Sequence, residues 1–187
     1  IHHMIDGSIG NKRIEDEGLA PKIAKHIKEN VKGEALYRWN YKGKDPLSGR
    51  NFLFKAPANW QEIPAVSHGL NKAEWMAMSQ VVLMNGFRPS NIENKFLKEI
   101  GISHADADKA RHGSMIVQEL TRSAIRKNKD ITVYVVDHFT AKLIGELLLG
   151  SDVTITKMVP TFKYEAKPMG RPVKYATPEE KKAARRE

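Results

Sequence analysis

The residues best suited to chemistry in this chain are an amide and two guanidiniums in the run Gln118-Glu-Leu-Thr-Arg122-Ser-Ala-Ile-Arg126. Spacings of four and eight put Gln118, Arg122 and Arg126 along one face of a helix. Arginine offers a forked, permanently charged set of donors, and glutamine can hydrogen-bond a water or a phosphate oxygen. Such a face is suited to a polyphosphate. The competing reading is a solvated basic face on an amphipathic helix. His104, Asp106 and Asp108 have the composition of a metal site, but acidity at the start of a helix explains them, and no metal site is expected. Cysteine is absent, which removes disulfides, thiolate zinc sites and a cysteine nucleophile. No G-x-x-x-x-G-K-[ST], G-x-S-x-G or H-E-x-x-H occurs. The stretch Lys42-Gly-Lys-Asp-Pro-Leu-Ser-Gly49 has glycines but lacks the Lys-Ser/Thr pair that reaches phosphate and magnesium.

Charge points to the same class of ligand. Lys and Arg number 31 against 22 Asp and Glu, a formal net charge of +9. A soluble chain this basic favours a polyanionic partner, DNA or RNA, over a merely basic surface. Residues 163–187 hold eight Lys/Arg and four Glu, so the tail carries +4 of the total. No apolar run exceeds the four residues of Val81 to Met84, far short of the roughly 20 a membrane helix requires, so no membrane partner is expected. The absence of cysteine and of a signal peptide fits the cytoplasm.

The elements that must position these groups alternate along the chain. Leu19 to Asn30 reads as a helix, with Leu19, Ile23 and Ile27 on one face and Gly33 as its stop signal. Ala35 to Lys42 and Asn51 to Lys55 read as two strands that can form a hairpin across a turn rich in Gly, Pro and Ser. Ala65 to His68 reads as a short strand, Ala73 to Met78 as a short helix, and Val81 to Met84 as a buried strand. Ser90 with Glu93 makes a capping box for a helix to Ile100. A longer helix is predicted from Ser103 or His104 to about Asn128, interrupted or kinked at Gly113. Ile131 to Val136 is the clearest strand, Phe139 to Leu149 a helix, and Val153 to Met158 a last strand. This order predicts an α/β domain, a mainly parallel sheet with helices packed on it, plus a basic C-terminal tail.

Ile1 is not an initiator methionine, and His2, His3 and Met4 read as the end of a histidine tag running into a start. The expected organisation is therefore an N-terminal segment 1–18, a domain 19–160 and a tail 161–187. An upstream domain is expected to be missing. In the tail, Gly170-Arg-Pro172 resembles the core of an AT-hook, with Met169 in place of the leading arginine. Arg171 and Lys174 are its candidate nucleic-acid contacts.

Residues 66–149 resemble the second RecA-like domain of helicases of the second superfamily, in a form seen in phage and plasmid proteins. The resemblance is carried by His68-Gly-Leu-Asn71, by the strand Val81 to Met84 ending in Asn85 with Arg88-Pro89 after it, and by Asn94-Lys-Phe-Leu-Lys-Glu-Ile-Gly101. It continues through Gln118-x-x-x-Arg122-x-x-x-Arg126, Ile131 to Asp137 and Thr140-Ala141. It implies that the arginine helix is motif VI, facing ATP bound on a first RecA-like domain. Gln118 would orient toward the nucleotide, and Arg122 and Arg126 would act as fingers on the γ-phosphate. His68, Asn71, Asn85 and Arg88 are the implied nucleic-acid contacts. The gap between the arginines is four, where the family has three, so the resemblance does not say which is the finger. ATP and magnesium are expected only with an N-terminal RecA-like partner domain that carries the phosphate loop. The chain alone is expected to bind neither and to be inactive. The alternative is a stand-alone basic DNA- or RNA-binding module.

Overall fold

The computed structural model describes residues 1–7, 9, 11–41, 51–64, 72–84, 91–148 and 150–159. Six strands, β1 (His2–Ile5), β2 (Ala35–Trp39), β3 (Trp60–Glu62), β4 (Gln80–Met84), β5 (Thr132–Asp137) and β6 (Thr156–Lys157), form one sheet in the order β3-β2-β4-β5-β1-β6. Every neighbouring pair is parallel. Among the described residues five α-helices join them: α1 (Asn11–Asp16), α2 (Ala20–Asn30), α3 (Asn91–Glu99), α4 (His104–Leu120) and α5 (His138–Leu147). This is the expected α/β, RecA-like arrangement.

The central strands are apolar on both sides, as a sheet covered on both faces requires. Val82 and Met84 of β4 and Tyr134 and Val136 of β5 face α1 and α2, where Ile14, Ile23 and Ile27 complete one core. Val81, Leu83, Val133 and Val135 point the other way, onto Ile116 and Leu120 of α4 and Ile144 of α5. The connections from β1 to β2 and from β2 to β3 step one way along the sheet, and the later three step back. The two cores put α1 and α2 on one face and α4 and α5 on the other, so the helical crossovers share one hand.

Four expectations change. Residues 1–18 are not a separate segment: β1 lies between β5 and β6, with Met4, Ile5, Ile9 and Ile14 buried in the core. The hairpin is replaced by parallel pairing of β2 with both β3 and β4. The reason is packing: Phe52 and Phe54, read as strand residues, lie against the β2 aromatics, with Phe54 stacked on Trp39 at 4.2 Å between centroids. Gly113 does not interrupt α4, which runs unbroken from His104 to Leu120. It lets α5 approach, since a Cβ there would lie 3.2 Å from Leu147. The long helix stops at Leu120, eight residues before the expected Asn128. There Ser123 Oγ donates to Leu120 O at 2.6 Å and accepts from Ile125 N, opening a 3-10 turn over Ala124–Lys127. The Ala124 amide leaves the helix for Met78 O at 3.0 Å, a tertiary bond that no local pattern announces.

Candidate functional site

Two ends of the sheet carry chemistry. At the carboxyl end, the exit of β2 runs to β3 on one side and the exit of β4 runs toward β5 on the other. Neighbouring strands whose connections diverge in this way flank a crevice where α/β sheets place ligands. The two strands are stitched at that point by Asn40 N donating to Met84 O at 2.9 Å. Asn85 and Arg88, which follow β4, lie outside the described residues, as do His68, Asn71, Arg171, Lys174 and the whole segment 161–187.

Further along the carboxyl edge, β1 and β5 bring together a histidine pair that sequence reasoning missed. His3 Nδ1 lies 3.3 Å from Ile5 O, and a carbonyl can only accept, so that nitrogen carries the proton. His3 Nε2 is then the acceptor for His138 Nδ1–H at 3.2 Å. Burial holds the His3 imidazole below its ordinary pKa, with a smaller push the same way from His138. Beside the pair, Asp137 closes β5. Its Oδ1 accepts from Thr140 N at 2.8 Å, capping α5, and its Oδ2 accepts from Ile9 N at 2.9 Å. The junction after β1, Asp6-Gly-Ser-Ile-Gly-Asn-Lys12, thus has glycines and a lysine, but not the phosphate-loop spacing. Its Ile9 amide already holds a carboxylate.

The arginine run lies at the other end, where α4 descends to the start of β5. Gln118 is exposed on the last turn of α4, with Ser114 Oγ at 3.5 Å from its Nε2. Arg122 follows the helix and is only 8% exposed. Its guanidinium sits 5.7 Å from the centre of the buried Trp75 ring, which the Lys72 ammonium also approaches at 5.2 Å. Burial pulls the Arg122 pKa down, and Glu119 opposes that pull. Glu119 is itself buried and faces Arg38 Nη1 of β2 at 2.8 Å, so the sheet, the end of α4 and the turn after it meet in one enclosed ionic cluster. Arg126 lies exposed on the 3-10 turn. The single helical face expected for Gln118, Arg122 and Arg126 is therefore divided between a helix, a buried linker and a turn.

Among the described residues no group of three His, Cys, Asp or Glu is placed to hold a metal. Asp106 serves the start of α4, where Ser103 Oγ accepts from its amide at 3.1 Å, as the helix-start reading anticipates. Among the described residues no helix is long and apolar enough to cross a membrane. No family model, curated protein or solved structure matches the chain.

Proposed function

We propose that this chain is the C-terminal RecA-like half of a nucleic-acid-dependent ATPase or helicase, working in the cytoplasm beside a phosphate-loop domain. The observation that carries the reading is the six-stranded, all-parallel RecA-like sheet, whose crossover from β4 to β5 places the arginine turn just before β5. The net charge of +9 supports nucleic acid as the second partner. Within the run, exposure divides the labour. Arg126, open on its turn, is the arginine suited to reach a γ-phosphate bound on another domain. Arg122, enclosed with Trp75 and Glu119, holds that turn in place. Such an arginine stabilises charge on the transferring phosphoryl group and acts mainly in the transition state.

The test is ATP turnover. The pure chain should turn over no ATP, with or without DNA. In a protein that joins it to a phosphate-loop domain, Arg126→Ala should reduce turnover by roughly 10³ to 10⁵ while leaving nucleotide binding nearly unchanged. Near-normal turnover by Arg126→Ala would remove the finger assignment, and robust turnover by the pure chain would overturn the half-enzyme reading.

A further inference from the structure

Arg126-Lys127-Asn128-Lys129 places three exposed cations within four residues. They lie on a turn with a fixed shape. Ser123 caps its start, and Asn128 ends it in the left-handed region at φ 54°. The 3-10 turn at Trp75–Ala77 packs beside it, tied by Ala124 N donating to Met78 O at 3.0 Å and Thr132 N donating to Ser79 O at 2.7 Å. That second turn brings in Lys72, exposed, with its ammonium over the Trp75 ring. The buried Arg122 guanidinium lies beneath. Two exposed acids, Glu74 and Asp130, share these two segments with four exposed cations, Lys72, Arg126, Lys127 and Lys129.

We propose that the paired 3-10 turns at the amino ends of β4 and β5 form a corner that grips the phosphate backbone of a nucleic acid through Lys72, Lys127 and Lys129. The proposal rests on the nucleic-acid half of the reading above and gives that binding a location. Arg126 is left to the nucleotide. The chemistry of the corner selects its partner. Among the described residues, the exposed large apolar ones, Leu53, Phe96, Ile100, Ile102, Phe139 and Val159, lie elsewhere. Among the described residues the corner therefore offers neither the apolar anchor of a protein hot spot nor the apolar face of a membrane-surface helix. Trp75 is 1% exposed and offers no ring to a base. Contacts are thus to phosphate, independent of sequence, and common to single and double strands.

The probe is a labelled 20-nucleotide DNA, single-stranded and as a duplex, titrated by fluorescence anisotropy between low and moderate salt. One triple variant carries Lys72→Gln, Lys127→Gln and Lys129→Gln. A control of equal charge carries Lys22→Gln, Lys25→Gln and Lys142→Gln, all exposed and on α2 or α5. Each lost phosphate contact lowers the slope of log K against log salt by about 0.9 on duplex and about 0.7 on single strands. Three contacts amount to about 2.7 and 2.1. The corner variant should lose that much slope with both probes, and the control much less. Equal slopes for the two variants, with the wild type binding, would overturn the corner alone. No salt-dependent binding by the wild type would overturn the reading on which the corner rests.

Discussion

Asp137→Ala separates two bonds that one carboxylate makes. Asp137 is 6% exposed, and its two oxygens join three parts of the molecule: the end of β5, the first turn of α5 and the loop after β1. Losing an N-cap costs about 1 kcal/mol, within a range of roughly 0.5–2. Ile9 is 4% exposed, so its amide is left without an acceptor and without ready access to water, at about 1–3 kcal/mol. The expected loss is about 2–4 kcal/mol. At roughly 2–4 °C per kcal/mol for a domain of this size, the melting midpoint should fall by about 4–16 °C. Asp137→Asn tests the division. Asparagine caps as well as aspartate, so the α5 bond survives, but its NH2 then faces the Ile9 N–H, donor against donor. It should lose only the Ile9 share, about 1–3 kcal/mol. The assay is urea unfolding by circular dichroism with the m-value fitted. A stability for Asp137→Ala within about 0.5 kcal/mol of wild type, the size of an ordinary surface change, would refute the reasoning. So would wild-type stability in Asp137→Asn, which would show that the Ile9 bond contributes nothing.

Glu119→Ala removes the carboxylate facing two largely buried arginines and should destabilise by about 3–5 kcal/mol, read by the same urea assay, whereas replacing Arg38 and Glu119 together by Met and Leu should recover only part of that loss, because Arg122 stays buried without the Glu119 charge. Gly113→Val should cost about 1–3 kcal/mol, because its side chain overpacks the α4–α5 contact at Leu147. Burial lowers the pKa of His3 and His26 in the fold below their ordinary 6.5, so the unfolded chain takes up protons first as the solution is acidified. Their contribution is therefore complete above about pH 6.5 and is lost as pH falls through the depressed folded values. Thermal midpoints should drop between pH 7.5 and pH 5, conditions chosen to span roughly that window. A midpoint that rises on acidification would contradict the assignment.

The parts of the fold legible in sequence are those set by short-range pattern. β4 and β5 announce themselves as apolar runs, α2 and α5 by helical spacing, and the start of α4 by Ser103. What was not legible is set by contacts distant in sequence. β1 is four residues long and opens with two histidines, so it looks like a tag until β5 and β6 flank it. Parallel pairing of β2 cannot be distinguished from a hairpin by alternation, because both have a period of two. The end of α4 depends on Met78, which accepts the amide of Ala124. The same limit applies to the site. Gln118, Arg122 and Arg126 were visible as residues, but their separation follows from that early stop. His3 with His138, and Asp137 with Ile9, are 135 and 128 residues apart, and no motif spacing joins them.

The central claim, a RecA-like half that works on nucleic acid, is tested most directly by the wild-type chain with DNA and RNA across a salt series. Fluorescence anisotropy should show binding at low salt to both, with log K falling linearly against log salt and a slope that reports several phosphate contacts. No binding at low salt, or an affinity that salt leaves unchanged, would contradict the account.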